Sequence, residues 1–222
     1  MANYTVGLIT KNKIINSAKD LIYKKGIKET TIKEICEHAE IAQPLFFHYF
    51  KNKQELALII FGWLNNLLTD KVNSLLNKKF QEKKSFTFKM LLYNGFIYKF
   101  SSADPNVKRF YYEIFEINPG IVISERNRSS NEFFIKKISS SCDEKTIERF
   151  NISMASWVCA SYFWNISPQK TMTEDEFLHF LLRFPLTAFD NKPVDENLID
   201  NVISEIDKHY IDVGEIFLMK YE

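Results

Sequence analysis

The sequence predicts an all-helical fold, and three observations carry that expectation. Glycine and proline number only six each in 222 residues, too few for the turns of an all-β chain of many short strands. Apolar residues recur at three- and four-residue spacing along most long segments. Helix-start pairs, a Thr or Asn followed three residues later by Glu, stand before three of those runs. With 45% hydrophobic residues, 20 Phe and 10 Tyr, the chain can also fill a sizeable core.

Taken in order, the first helix reads INSAKDLIYKKG. Ile14, Ile15, Ala18, Leu21 and Ile22 share one face, Lys24 and Lys25 suit the negative helix end, and Gly26 suits the position just past it. Thr31-Ile32-Lys33-Glu34 is a capping box, and the short helix behind it turns Ile32, Ile35, Cys36 and Ala39 inward. Only Glu40-Ile41-Ala42 separates it from QPLFFHYF, where Pro44 fits a first helical turn. Two helices this short, joined by so tight a turn, form a helix-turn-helix pattern. Asn52-Lys53-Gln54-Glu55 offers a second capping box. A long run to about Lys79 follows, with Leu56, Ile59, Ile60, Trp63, Leu67, Leu75 and Leu76 in period. Further helices are expected at about 85–102, 105–117, 121–140, 143–166, 173–190 and 195–219. Thr173 and Glu176 should cap the next-to-last of these, and Pro185 should kink or split it.

Charge and motif content exclude several function classes. The net charge is +1 overall, yet residues 1–55 hold nine lysines against six acids, a basic head compatible with phosphate contact. The three cysteines, Cys36, Cys142 and Cys159, are odd in number and far apart. They read as reduced thiols in a cytoplasmic protein. Neither they nor the four scattered histidines have metal-ligand spacing, so no metal and no cofactor is expected. No Gly-rich phosphate loop, GxSxG or HExxH is present, and an enzyme is not expected. The start, MANYTVGLITKNK, lacks the apolar run of a secretory leader. No charge lies between Arg149 and Lys170, but Asn151, Ser153, Ser156, Ser161, Asn165 and Ser167 make that stretch too polar for lipid. A helix buried in a core or subunit interface is the expected form.

Residues 11–56 resemble the tetracycline-repressor family of bacterial regulators. The resemblance lies in the first helix ending at Gly26, Thr30-Thr31-Ile32-x-x-Ile35, the tight turn, His48-Tyr49-Phe50 and Lys51-Asn52-Lys53-x-x-Leu56. It implies a DNA-binding head of three helices at 1–52. Residues 53–222 would form a larger ligand-binding and dimerisation domain, giving nine or ten helices in all. By position, Thr31 would cap its helix and touch a phosphate, and Gln43, Pro44 and Leu45 would open the recognition helix. His48, Tyr49 and Lys53 would grip the DNA backbone. Gln43 suits adenine, because its amide both donates and accepts. Three positions depart from the family: Glu40 stands where Gly is usual, Ala42 replaces a Ser or Thr cap, and Leu45 replaces Thr. Phe46 and Phe50 read as core, Phe47 is open between core and contact, and Lys11, Lys13 and Lys24 read as a solvated face.

The functional expectation is a repressor that binds a palindromic double-stranded DNA operator and is released by a small apolar or aromatic effector. The alternative is a ligand-independent regulator controlled by a partner protein. The rings after residue 80 are the expected pocket: Phe96, Phe100, Phe110, Tyr111, Phe115, Trp157 and Trp164. Arg109, Glu113 and Glu116 share a helix with two of them and read first as a solvated face, second as ligand-orienting groups. A homodimer is expected through the helices at about 143–166 and 195–219, with the helix at 53–79 as a lever between effector and head.

Overall fold

Gly26 interrupts the first helix of the computed structural model with φ 88° and ψ 168°, a conformation that a Cβ would strain. The structure describes residues 2–79, 85–120, 132, 136, 143–188, 195–209 and 212–222. Among them are ten helices: α1 Ala2–Glu29, α2 Ile32–His38, α3 Gln43–Tyr49, α4 Lys53–Lys79, α5 Phe86–Ala103, α6 Pro105–Ile117, α7 Glu144–Ile166, α8 Glu174–Leu181, α9 Glu196–Asp207 and α10 Val213–Leu218. No strand occurs among the described residues. The helix expected at 121–140 lies outside them.

The chain divides into two compact units. The first comprises residues 1–71, 100–118 and 212–222, and the second 72–99 and 119–211. The unit holding the head also takes in α6 and α10.

In the first unit, Ile14, Ile15, Ala18 and Ile22 of α1 are fully buried, whereas Leu21 is only half-buried. The helix begins twelve residues earlier than its periodic core suggests. Thr31 caps α2 as expected, accepting from the Glu34 N–H at 3.2 Å while the Glu34 carboxylate takes the Thr31 N–H at 2.9 Å. Asn52 caps α4 through the Glu55 N–H at 2.8 Å, but Glu55 reaches back to the Lys51 N–H instead of that of Asn52. Leu56, Ile60, Leu64 and Leu68 line the buried side of α4 at every fourth position. Ile59, Trp63 and Leu67, expected inside, are half-buried. The helix is apolar almost all round between residues 56 and 68, so periodicity alone does not fix which stripe faces inward. Asp104 caps α6 by accepting from Asn106 and Val107 at 2.8 and 2.9 Å.

In the second unit, Asp143 starts α7, and the Thr173–Glu176 box starts α8 as expected. The run expected at 173–190 breaks after Leu181 and continues as a 3-10 turn, Phe184–Ala188, around Pro185. Gly95 of α5 is a close-approach site, because a Cβ there would sit 2.3 Å from Cδ1 of Ile206 on α9. The single helix expected at 195–219 is two helices. Lys208 closes α9, and Asp212 opens α10 by accepting from the Glu215 N–H at 2.9 Å. The two fall in different units.

Candidate nucleic-acid interface

A short helix held from behind by two rings forms the candidate interface. Phe46 and Phe50 are buried, with centroids 5.5 Å apart, and anchor α3 to the head. With those rings inward, the helix must present Gln43, Pro44, Leu45, Phe47 and His48 to solvent, and all five are exposed. Tyr49 is half-buried, its ring edge-on to His48 at 5.0 Å. The N-cap Ala42 makes no side-chain bond, Pro44 has no N–H, and the Leu45 N–H turns back to the Ala42 carbonyl at 3.0 Å.

Sequence reasoning left Phe47 open. It is 55% exposed and lies one turn beyond Gln43, on the same face of α3. The i,i+4 spacing of Gln43 and Phe47 against the inward pair Phe46 and Phe50 is the signal that separates the two faces. Sequence reasoning also missed the first turns of α1. A Cβ on Gly7 would stand 3.6 Å from the Tyr49 hydroxyl, so that end of α1 lies beside the end of α3.

The turn before α3 carries the irregularity expected at Glu40. Glu40 adopts φ 51°, a left-handed conformation that costs a non-glycine residue about 1–2 kcal/mol. Its carboxylate is met by Lys13 at 2.7 Å, so Lys13 is a partner of the turn and not merely a solvated side chain. Both groups are exposed, and the pair contributes little. On α2, Lys25 and then Thr31 hold the Glu34 carboxyl down to about 2. The Thr31 hydroxyl is engaged twice, donating to Glu34 at 2.8 Å and accepting the helix N–H.

Lys53 is committed to the head itself. Its ammonium donates to the carbonyls of Thr30 at 2.5 Å and Lys28 at 3.2 Å, and burial lowers its pKa. Three donors minus two leaves one N–H for an outside phosphate.

Behind the head, the charged residues of α6 have a use that sequence reasoning did not assign. Glu113, expected on a solvated face, is buried and accepts from the Ile27 N–H. Arg109 donates to the Tyr23 carbonyl at 2.7 Å, and Glu116 pairs with Lys28 at 2.7 Å. All three grip the end of α1 around the Gly26 break. A Cβ on Gly26 would stand 2.8 Å from the Glu113 carboxylate. A break in α1 leaves backbone N–H groups without intrahelical partners, and a buried carboxylate answers one of them.

The rings expected to form a pocket divide between the units. Phe100, Phe110, Tyr111 and Phe115 belong to the first, and Phe96, Trp157 and Trp164 to the second. In the first, Phe110 is core, edge-on to Phe217 of α10 at 5.0 Å, and Tyr111 donates to Asn65 at 2.9 Å. In the second, Trp157, Tyr98, Phe177 and Trp164 form a chain of rings, closed by a 4.5 Å stack of Trp164 on Phe177. Among the described residues no hydrogen-bond partner meets the buried indole N–H groups of Trp157 and Trp164. Among the described residues no cluster of His, Cys, Asp or Glu is placed to hold a metal ion, and no helix is long and apolar enough to cross a membrane.

These features define an all-helical protein with a helix-turn-helix whose second helix is presented outward. Residues 14–59 match the family model of bacterial regulatory proteins, tetR family. An uncharacterized HTH-type transcriptional regulator of Bacillus subtilis strain 168, YvkB, is 45% identical over 47 residues, 21% of this chain and 25% of that protein. A second, encoded in the lacX 3′ region of Lactococcus lactis subsp. lactis, is 34% identical over 64 residues, 27% of this chain and 33% of that one. The chain thus spans between a quarter and a third of the length of the curated relatives it matches. The crystal structure of RolR in complex with resorcinol shares the fold, with a TM-score of 0.57 at 15% identity over 88% of this chain and 95% of that one. Residues 14–59 thus carry a helix-turn-helix segment of the tetR type, on a chain whose fold is shared with RolR.

Proposed function

We propose that this regulator binds an operator in double-stranded DNA as a homodimer and leaves it when an aromatic effector carrying hydrogen-bond acceptors binds its second unit. The observation that carries the DNA reading is the division of α3: Phe46 and Phe50 inward; Gln43, Pro44, Leu45, Phe47 and His48 outward. An amide that both donates and accepts, next to apolar groups, suits adenine beside the methyl of thymine. His48, Tyr49 and the remaining N–H of Lys53 contact phosphates and set register, while Thr31, expected at a phosphate, gives both its donors to Glu34 and serves as the cap of α2. In a two-fold dimer, two such helices enter successive major grooves about 34–36 Å apart, so the operator is palindromic. A head of this kind works where DNA is, in the cytoplasm.

The dimer reading rests on α7. Ile152, Ser156, Cys159, Phe163 and Ile166 follow one another at four- and three-residue steps, and Ile152, Phe163 and Ile166 are exposed at 59%, 62% and 48%. A stripe of that period is the seam of a helix pair. With the run at 195–219 broken, α7 is the principal interface helix of this proposal.

The effector reading rests on the two buried indole donors of α7. A buried donor without a partner costs about 1–3 kcal/mol, and an acceptor on a bound aromatic molecule removes that cost. For DNA release the effector must bind the DNA-incompetent state more tightly than the competent one. Titrating small phenols, resorcinol among them, against tryptophan emission tests this reading. It predicts a saturable change that is lost in Trp157→Phe/Trp164→Phe. A broad phenolic and lipophilic panel without response favours control by a partner protein instead. For the head, Gln43→Ala and Lys53→Ala should both weaken operator binding in gel shifts, and parent-like binding by both contradicts the assignment.

A further inference from the structure

Lys19 lies on the apolar side of α1, between the fully buried Ala18 and Ile22, and is itself only 1% exposed. Its ammonium stands 4.0 Å from the centre of the Trp63 ring on α4 and donates to the main-chain carbonyl of Met219. One turn earlier on α1, Asn16 engages both main-chain groups of a single residue. Its amide donates to the Tyr221 carbonyl at 3.1 Å, and its side-chain oxygen accepts the Tyr221 N–H at 2.8 Å. The Tyr221 ring lies against Trp63, with centroids 5.9 Å apart. Met219, with φ −57° and ψ 148°, leaves α10 in an extended conformation.

This is the chemistry of peptide recognition. Main-chain groups are read by a side-chain amide and a lysine, and one aromatic side chain is held by a ring. The occupant is not core. Val213, Ile216 and Phe217 of α10 are buried, whereas Leu218, Met219 and Lys220 are exposed and Tyr221 is half-buried. Little apolar area therefore holds residues 219–221 in place, and the polar contacts carry their docking.

We propose that Asn16, Lys19 and Trp63 form a peptide-binding groove on the head, occupied here by the chain's own Met219–Tyr221. The groove takes a short extended peptide with free main-chain groups and an aromatic residue at the place of Tyr221. The resident segment is a latch that such a peptide can displace in trans. The proposal is independent of the DNA and effector readings.

The Lys220–Tyr221 bond reports the latch, because trypsin cleaves after lysine only where the chain can leave its docked form. The full chain is treated briefly with trypsin, and loss of its last two residues is followed by mass spectrometry. The expected result is that Asn16→Ala and, separately, Tyr221→Ala speed this cleavage at least tenfold. Tyr221→Ala lies in the exposed segment and leaves the head's core intact. An acetylated peptide of residues 217–222 carrying Lys220→Gln, at millimolar concentration, should speed cleavage of the parent several-fold and leave Asn16→Ala unchanged. A parent rate equal to that of Tyr221→Ala overturns the latch. A parent that is slow to cleave but indifferent to the peptide overturns the groove as a site open in trans.

Discussion

Helices α3 and α7 both expose large aromatic side chains, Phe47 at 55% and Phe163 at 62%, but in different company. On α3 the ring sits one turn from an amide and beside an imidazole, on a seven-residue helix. On α7 it belongs to a stripe that runs 15 residues, from Ile152 to Ile166, and is apolar except for Ser156, whose hydroxyl turns back to the Ile152 carbonyl. A mixed polar and apolar face matches the edges of bases, which offer donors, acceptors and methyl groups together. A predominantly apolar stripe at four-three spacing matches another apolar surface. Exposure by itself therefore does not name a partner; the neighbours of the exposed ring do.

That contrast can be broken by experiment. The largest expected effect is that of Phe163→Asp, which places a charge in the seam. Dimer association should weaken by about 100-fold or more, seen as monomer in sedimentation at micromolar concentration with unchanged helicity by circular dichroism. Phe47→Asp should leave the dimer intact and abolish DNA binding. If it dissociated the dimer instead, the roles of the two helices would be reversed. Next, Gln43→Ala should cost about 1–3 kcal/mol of operator binding and relax the preference at one base pair. In a fluorescence anisotropy series, equal losses on all variant operators would make Gln43 a backbone contact.

A smaller effect concerns the base on which α3 is mounted. Burial, partly offset by Asp20, lowers the Lys19 pKa from 10.5 to about 8. The folded state thus disfavours the charged amine. The penalty is present in full below pH 8 and is relieved as pH rises from 8 towards 10.5, where only the unfolded chain still holds the proton. Relative to Lys19→Met, the parent should gain on the order of 1–2 kcal/mol of stability between pH 8 and pH 10. Paired thermal melts read this, and parallel pH profiles would show that Lys19 is not desolvated. The smallest expected effect is at the turn. Glu40→Gly removes the strain of φ 51° but also the exposed pair with Lys13. The net gain should be about 0.5–1 kcal/mol, read as a rise of a few degrees in melting temperature, with tighter DNA binding because a negative charge has gone.

The features legible in the sequence are those set by neighbours in the chain. The Thr31–Glu34 and Thr173–Glu176 boxes, the break at Gly26 and the limits of α2 and α3 depend on residues within four positions of one another. Glu40 and Ala42 are likewise legible as irregularities, and a left-handed φ and a missing cap bond stand at those two positions. What escaped depends on distant partners. The acid at position 113 looks like any surface glutamate until the broken end of α1 is placed beside it. The burial of Lys19 needs Trp63 and Met219, which lie 44 and 200 positions away. The division of α9 from α10 was hidden because Ile199, Val202, Ile206, Val213 and Phe217 keep helical period across it; Asp212 before Glu215 was the overlooked sign. At the candidate interface, the outward placement of Gln43 and His48 followed from the motif, and that of Phe47 required the two inward rings.

The central claim, that α3 reads base edges as one half of a symmetric pair, is tested most directly by selection from random duplex DNA with the parent chain and Gln43→Ala in parallel. The parent should enrich a palindrome with half-sites about 10–10.5 base pairs apart, and Gln43→Ala should enrich the same palindrome with the preference lost at one symmetric pair of positions. No enrichment by the parent, or identical logos from both proteins, contradicts it.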